Sequence, residues 1–157
     1  MFILSNLIMQ GIKIGTYKYI GKGSGRFVFD MNNGYVVKVA KNLAGREQNK
    51  VEYNISQDDG TGMFAKVIQS FNDYNFIIME KADKIYDMAY VWQYFNVRNE
   101  RDFSRIYQIK QIRSKYNLLM GDLRKKSSWG IVDGRVVLID YGFTRKVRDR
   151  YYWVNES

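Results

Sequence analysis

The stretch "YKYIGKGSGRFVFDMNNGYVVKVA", Tyr17–Ala40, decides the fold. It opens as a strand that runs into a glycine-rich turn with Gly21, Gly23, Ser24 and Gly25. "RFVFDM" alternates and reads as a second strand. "NNG" at 32–34 predicts a hairpin turn, because Asn and Gly tolerate positive φ. "YVVKVA" is the third strand, with Tyr35, Val37 and Val39 on one face and Val36, Lys38 and Ala40 on the other. A three-stranded antiparallel meander is the expectation.

Two features of this meander bear on chemistry. Glycines between two strands let backbone N–H groups approach a phosphate closely, although a plain hairpin turn has the same composition. No Gly-Lys-Ser/Thr leads into a helix, so this is not a Walker A loop, and the strand that follows argues against a dinucleotide fingerprint. Lys38 lies inside an apolar strand. Such an ammonium either faces water at a sheet edge or lines a cleft, where it needs a carboxylate or a phosphate.

Working outward, "AGREQNKVEYNISQ" at 44–57 reads as a helix and offers Glu47 and Glu52 to Lys38. "DDGTG" at 58–62 breaks the chain, and "FAKVIQSF" and "NFIIMEKA" are two more strands joined by "NDY". The first half is therefore five strands with one helix after the third. The second half turns helical. "YDMAYVWQYFNV" is one helix, and "ERDFSRIYQIKQIRSKYNLL", 100–119, is a longer one. In the latter, Phe103, Ile106, Ile109, Ile112, Tyr116 and Leu119 recur at spacings of three and four. Then comes "GDLRKKSSWGIVDGRVVLIDYG", Gly121–Gly142, a loop and a hairpin with Asp122 and Asp140 at its ends. A carboxylate such as Asp140, at a strand end beside a Gly turn, can hold Mg²⁺. Either aspartate alone is also compatible with an ordinary turn residue.

Composition bounds the chemistry. The chain of 157 residues, 46% apolar with 13 Tyr, 9 Phe and 3 Trp, is expected to form one domain with a real core. It has no Cys and no His, which excludes disulfides, thiolate catalysis and the usual zinc ligands. Acid–base work would fall to Asp, Glu, Lys or Tyr. The formal charge of +9 suits a nucleotide, a nucleic acid or an acidic protein surface as partner. No stretch approaches the ~20 apolar residues of a membrane span. The start, "MFILSNLIM", lacks a basic leader region and reads as a strand or docking segment, so a cytoplasmic location is expected.

Taken in order, these pieces resemble the protein kinase fold. "GKGSGRFV" resembles the glycine-rich loop, with Gly21, Gly23 and Val28 in place and Arg26 where the pattern has its third glycine. "VVKVAKN" resembles the lysine-bearing strand, with Lys38 as its lysine, and "MEKAD", with Glu80, looks like the hinge. "GDLRKKSSWG" resembles the catalytic loop, with Asp122 as its aspartate, and "IDYG" resembles the metal-binding Asp-Phe-Gly, with Asp140. More narrowly, "KVAKNLAGREQNKVEYNI" and "SSWGIVDGRVVLIDYG" look like short kinase-like proteins of bacteria and phages.

The resemblance implies a two-lobed α+β fold, with an N-lobe over about residues 1–80 and a truncated, mainly helical C-lobe over 81–157. It implies ATP and Mg²⁺ as cofactors. Backbone N–H groups of Gly21–Arg26 would cover the phosphates. Lys38 would contact the α and β phosphates and pair with Glu52, or alternatively Glu47. Asp140 would hold the metal, and Asp122 would take the acceptor's proton. Ser127 or Ser128 stands where the pattern has a metal-binding Asn, and the histidine and arginine before the catalytic aspartate are missing. A short tail follows Gly142, with no Ala-Pro-Glu segment.

Three functions are therefore expected in descending order. One is transfer of the γ-phosphate to a protein hydroxyl. The next is an inactive, kinase-shaped module that binds a partner, such as a phage factor engaging a host protein. The last is a nucleic-acid binder using the basic helix and its aromatics, for which no stacking motif of an RNA-binding domain is present.

Overall fold

The glycine-rich meander forms from β1 (Lys18–Lys22), β2 (Arg26–Asp30) and β3 (Tyr35–Ala40), paired antiparallel. Asn32 and Gly34 take positive φ in the β2–β3 turn, as the "NNG" signal requires. β4 (Val67–Phe71) and β5 (Phe76–Glu80) complete a five-stranded antiparallel sheet of order β1-β2-β3-β5-β4. The computed structural model describes residues 2–152, with side chains from Ser5 onward. The chain is α+β and divides into two compact units, Met1–Asp58 with Ala65–Lys81, and Asp59–Phe64 with Ala82–Ser157.

In the first unit the amino-terminal segment, expected to be a strand or a docking segment, is a helix, α1 (Phe2–Lys13), docked on the sheet. Its inward positions show why. Ser5, Ile8 and Gly11 are buried at a spacing of three, which is a helical face and not an alternating one. Ile8 packs with Val37, Phe71, Phe76 and Ile78, so α1 covers one face of the sheet. The opposite face carries Lys38 and packs on α2 (Leu43–Asp58).

The inner stripe of α2 is unusually polar: Gln48, Asn49 and Glu52 are buried beside Ala44, Gly45 and Ile55. At its amino end Gly45 lies against the glycine-rich turn. A Cβ on Gly45 would sit 2.0 Å from the carbonyl oxygen of Gly25, and one on Gly25 would sit 2.9 Å from Gly45 Cα. Backbone cannot yield as a flexible side chain can, so Gly45→Ala is expected to cost about 1–3 kcal/mol, as overpacking does. A fall in melting temperature on calorimetry checks this.

The second unit is built on a three-stranded sheet of order β6-β7-β8, formed by β6 (Asp83–Lys84), β7 (Trp129–Val132) and β8 (Arg135–Leu138). Asp133 (φ 50) and Gly134 (φ 76) make the tight β7–β8 turn. Trp129 is its packing centre. Its ring stands 5.9 Å from those of Phe95 and Phe103, and its indole N–H donates to the Leu123 carbonyl.

Around this sheet lie α3 (Met88–Tyr94), α4 (Glu100–Phe103), α5 (Tyr107–Tyr116), α6 (Met120–Leu123) and α7 (Arg145–Val147). The single helix expected over 100–119 is thus two. Ser104 Oγ donates to the Glu100 carbonyl, a local bond that competes with helix continuation, and Ile106 is extended. Asn117, in the left-handed region at φ 58, ends α5. The apolar stripe survives the break, with Phe103, Ile109 and Ile112 all buried. Among the described residues no helix is long and apolar enough to cross a membrane.

Candidate functional site

Strand alternation and register build the first set of groups. Val28 pairs with Lys38, and Lys38 with Ile77, in adjacent strands. Arg26 lies two residues before Val28 and so shares the face that meets α2. Glu52 comes up from α2 between the two cations. Lys38 Nζ donates to both carboxylate oxygens, at 3.0 and 2.9 Å. Arg26 grips the same carboxylate in fork geometry, Nη1 at 2.7 Å and Nη2 at 2.9 Å. Glu52 is fully buried, and Arg26 and Lys38 are nearly so. Glu47, one turn and more away on α2, is half-exposed, so Glu52 is the lysine's carboxylate.

Burial by itself would raise the Glu52 carboxyl. The charges of Arg26 and Lys38, with hydrogen bonds from both, outweigh that and bring its pKa down to about 2.

Arg26 and Asn49 were not anticipated as a pair. Asn49 is fully buried, accepts from Arg26 Nη1 at 3.2 Å and donates from Nδ2 to the Tyr74 carbonyl at 2.8 Å. It thereby holds the β4–β5 turn, where Asn72, Asp73 and Tyr74 are all left-handed. Asn and Asp tolerate that region, whereas for Tyr74 it is strained. The signal for Arg26 was present in the alternation of "RFVFD" but was read only as a departure from glycine.

The glycine-rich turn is more committed than expected. The Gly23 N–H, one of the groups expected to cover phosphates, donates to the Arg26 carbonyl. The Gly23 carbonyl accepts from Lys41 Nζ at 3.0 Å. Gly25 is explained by its approach to Gly45. Gly21 and Gly23 have open space where a Cβ would be, Ser24 is exposed with Gln48 Nε2 at 3.5 Å from its Oγ, and Val28 is half-buried. Glu80 turns its carboxylate to the Lys66 backbone N–H at 2.9 Å, within its own sheet.

In the second unit Asp122 sits not in an open loop but in α6, where Lys125 lies 3.2 Å from its carboxylate. Asp140 is exposed just beyond β8. The two aspartates line one small recess, with Leu118, Leu119, Tyr141 and Phe143. Their chain segments are held together by the antiparallel bridge of Leu118 with Thr144 and by the Arg145 N–H donating to the Asn117 carbonyl. The Tyr141 ring, 4.8 Å from Phe64, anchors the residue after Asp140.

Ser127 is exposed and Ser128 buried, in the 3₁₀ turn Lys126–Ser128, and neither lines the recess. Among the described residues no group of three or more Asp, Glu, His or Cys could hold a metal ion. No protein-family model matches the chain, and no curated protein is significantly similar to it.

Proposed function

We propose that the chain is a minimal, protein-kinase-like phosphotransferase of two lobes, which uses ATP and Mg²⁺ to phosphorylate a protein hydroxyl. The observation that carries this is the buried Lys38–Glu52 pair, placed by the strand after a glycine-rich hairpin and by the helix that follows it. A lysine fixed by a buried carboxylate is a preorganised cation, suited to phosphate oxygens at no cost of reorganisation. The shared recess of Asp122 and Asp140 supports the other half of the chemistry.

Asp140 would hold Mg²⁺, which neutralises charge on the phosphates when bound. Asp122 would orient the acceptor hydroxyl and take its proton. The acceptor oxygen bonds to the γ-phosphorus as the bond from that phosphorus to the β–γ bridging oxygen breaks, and ADP leaves with the electron pair. Such a reaction is mainly positioning and charge neutralisation, so a chain without His and Cys can run it.

A nucleotide-binding pseudokinase is the second reading, favoured by the ion pair of Asp122 with Lys125 and by the absence of Ser127 and Ser128 from the recess. Thermal unfolding separates binding from its absence. Mg²⁺ and ATP at a hundred times Kd are expected to add about 2.7 kcal/mol, a rise in Tm of about 5 °C or more. EDTA is expected to remove most of that rise. An unchanged Tm at saturating Mg²⁺ and ATP contradicts both readings.

A further inference from the structure

Three hollows adjoin one another around α5, all within the second unit. The first, about 280 Å³, lies between Tyr94 and Tyr107, with Gln108, Gln111 and Arg135 in its wall. The second, about 380 Å³, shares Gln111 with the first and reaches Lys115 and Tyr116. The third, about 330 Å³, meets the second at Ser114 and is walled by Lys110, Arg113, Asn117 and Arg145. Each could take a nucleotide-sized group.

The helix sequence makes this groove. In "YQIKQIRSKY" the isoleucines Ile109 and Ile112 point into the core, so the polar residues face out, and α5 contains no acid. Ser114 lines both the second and the third hollow. Among the described residues Lys110, Arg113 and Arg145 make no ion pair. The one acid in the walls, Asp59, spends its carboxylate on the Thr61 and Gly62 backbone N–H groups and the Thr61 hydroxyl. At the other end Tyr107 is 70% exposed and Tyr94 47%.

We infer that this groove binds single-stranded nucleic acid, its phosphates on Lys110, Arg113 and Arg145 and its bases on the faces of Tyr94 and Tyr107. An acidic or phosphorylated peptide would use the cations alone. A nucleic-acid strand uses the cations and the exposed tyrosine rings together, with the Gln111 amide donating to the Tyr107 hydroxyl. The site does not use Lys38, Glu52, Asp122 or Asp140, although its third hollow shares Leu118 with the recess of the two aspartates.

The test is fluorescence anisotropy of a labelled single strand of about 12 nucleotides, as DNA and as RNA, with no ATP present. Saturable binding is expected at low salt, with log affinity falling against log salt at a slope of about −2 for three phosphates neutralised. Arg113→Gln with Arg145→Gln is expected to weaken binding at least tenfold and flatten the slope. Tyr107→Ala is expected to weaken it about tenfold with the slope unchanged. Lys18→Gln with Lys66→Gln, two exposed lysines of the first unit, is expected to change nothing.

Circular dichroism checks that each variant is folded, and Lys110→Gln replaces the arginine pair if that pair is not. No binding by the wild type overturns the inference. So does a loss in the Lys18/Lys66 variant equal to that in the groove variants, which would be a net-charge effect. Tighter binding of an acidic phosphopeptide than of the strand also overturns it.

Discussion

Glu52→Ala is expected to destabilise the protein by about 3–5 kcal/mol, the largest effect of any single substitution in the first unit. The carboxylate is shared by Arg26 and Lys38, all three are buried, and its loss leaves two buried cations without it. Glu52→Gln keeps the shape and part of the hydrogen bonding and is expected to cost less. The ion cluster also predicts a pH dependence. The Glu52 pKa is held at about 2 in the folded chain, against an ordinary value of 4.5. A depressed folded pKa means that the unfolded chain takes up the proton first. The stabilisation is therefore complete above about pH 4.5 and is lost as pH falls toward 2, amounting to about 3 kcal/mol. Urea midpoints across that window are expected to fall more steeply for the wild type than for Glu52→Gln. Parallel curves would show that the cluster is not held by charge.

Asp140→Asn is expected to lower phosphate transfer about a thousandfold or more while leaving the fold intact, because the residue is exposed beyond β8. The proposed role of Asp140 as the Mg²⁺ ligand predicts that nucleotide affinity falls as well. Asp122→Asn is expected to behave differently, with nucleotide affinity retained and the transfer rate down about 10²–10⁴-fold, as loss of a base implies. Initial rates over a range of ATP concentrations distinguish the two. Equal effects of both variants on affinity and rate would remove the assignment of separate roles.

The parts of the fold legible in the sequence are those with local signals. The meander follows from alternation and "NNG", the second hairpin from Asp133-Gly134, and α2 from its length and its start after the strand. Docking of the amino-terminal segment was one of its two expectations, but its helical period is hidden because Ser5 and Gly11, buried beside Ile8, are not apolar. The break between α4 and α5 was hidden for the opposite reason. Phe103, Ile109 and Ile112 keep an apolar rhythm across it, while the Arg105 N–H turns to the Asp102 carbonyl and Ile106 is extended.

In the candidate site, the sequence offers Lys38 either Glu47 or Glu52 of the next helix, and the structure selects Glu52. Arg26 and Asn49 could not be weighed without the register that brings them to the same carboxylate. The recess of Asp122 and Asp140 depends on the bridge of Leu118 with Thr144, a tertiary contact with no local signature. The basic face of α5 and its aromatics are legible in the sequence, but the hollows beside them are formed by several segments and are not.

The central claim is phosphate transfer, and incubation of the purified wild-type chain with γ-labelled ATP and Mg²⁺ tests it most directly. The account predicts label on a Ser, Thr or Tyr side chain, of the chain itself or of an added protein acceptor, that depends on Mg²⁺ and is absent with Asp140→Asn. Saturable nucleotide binding with no transfer to any acceptor, or label that persists in the Asp140 variant, would contradict it.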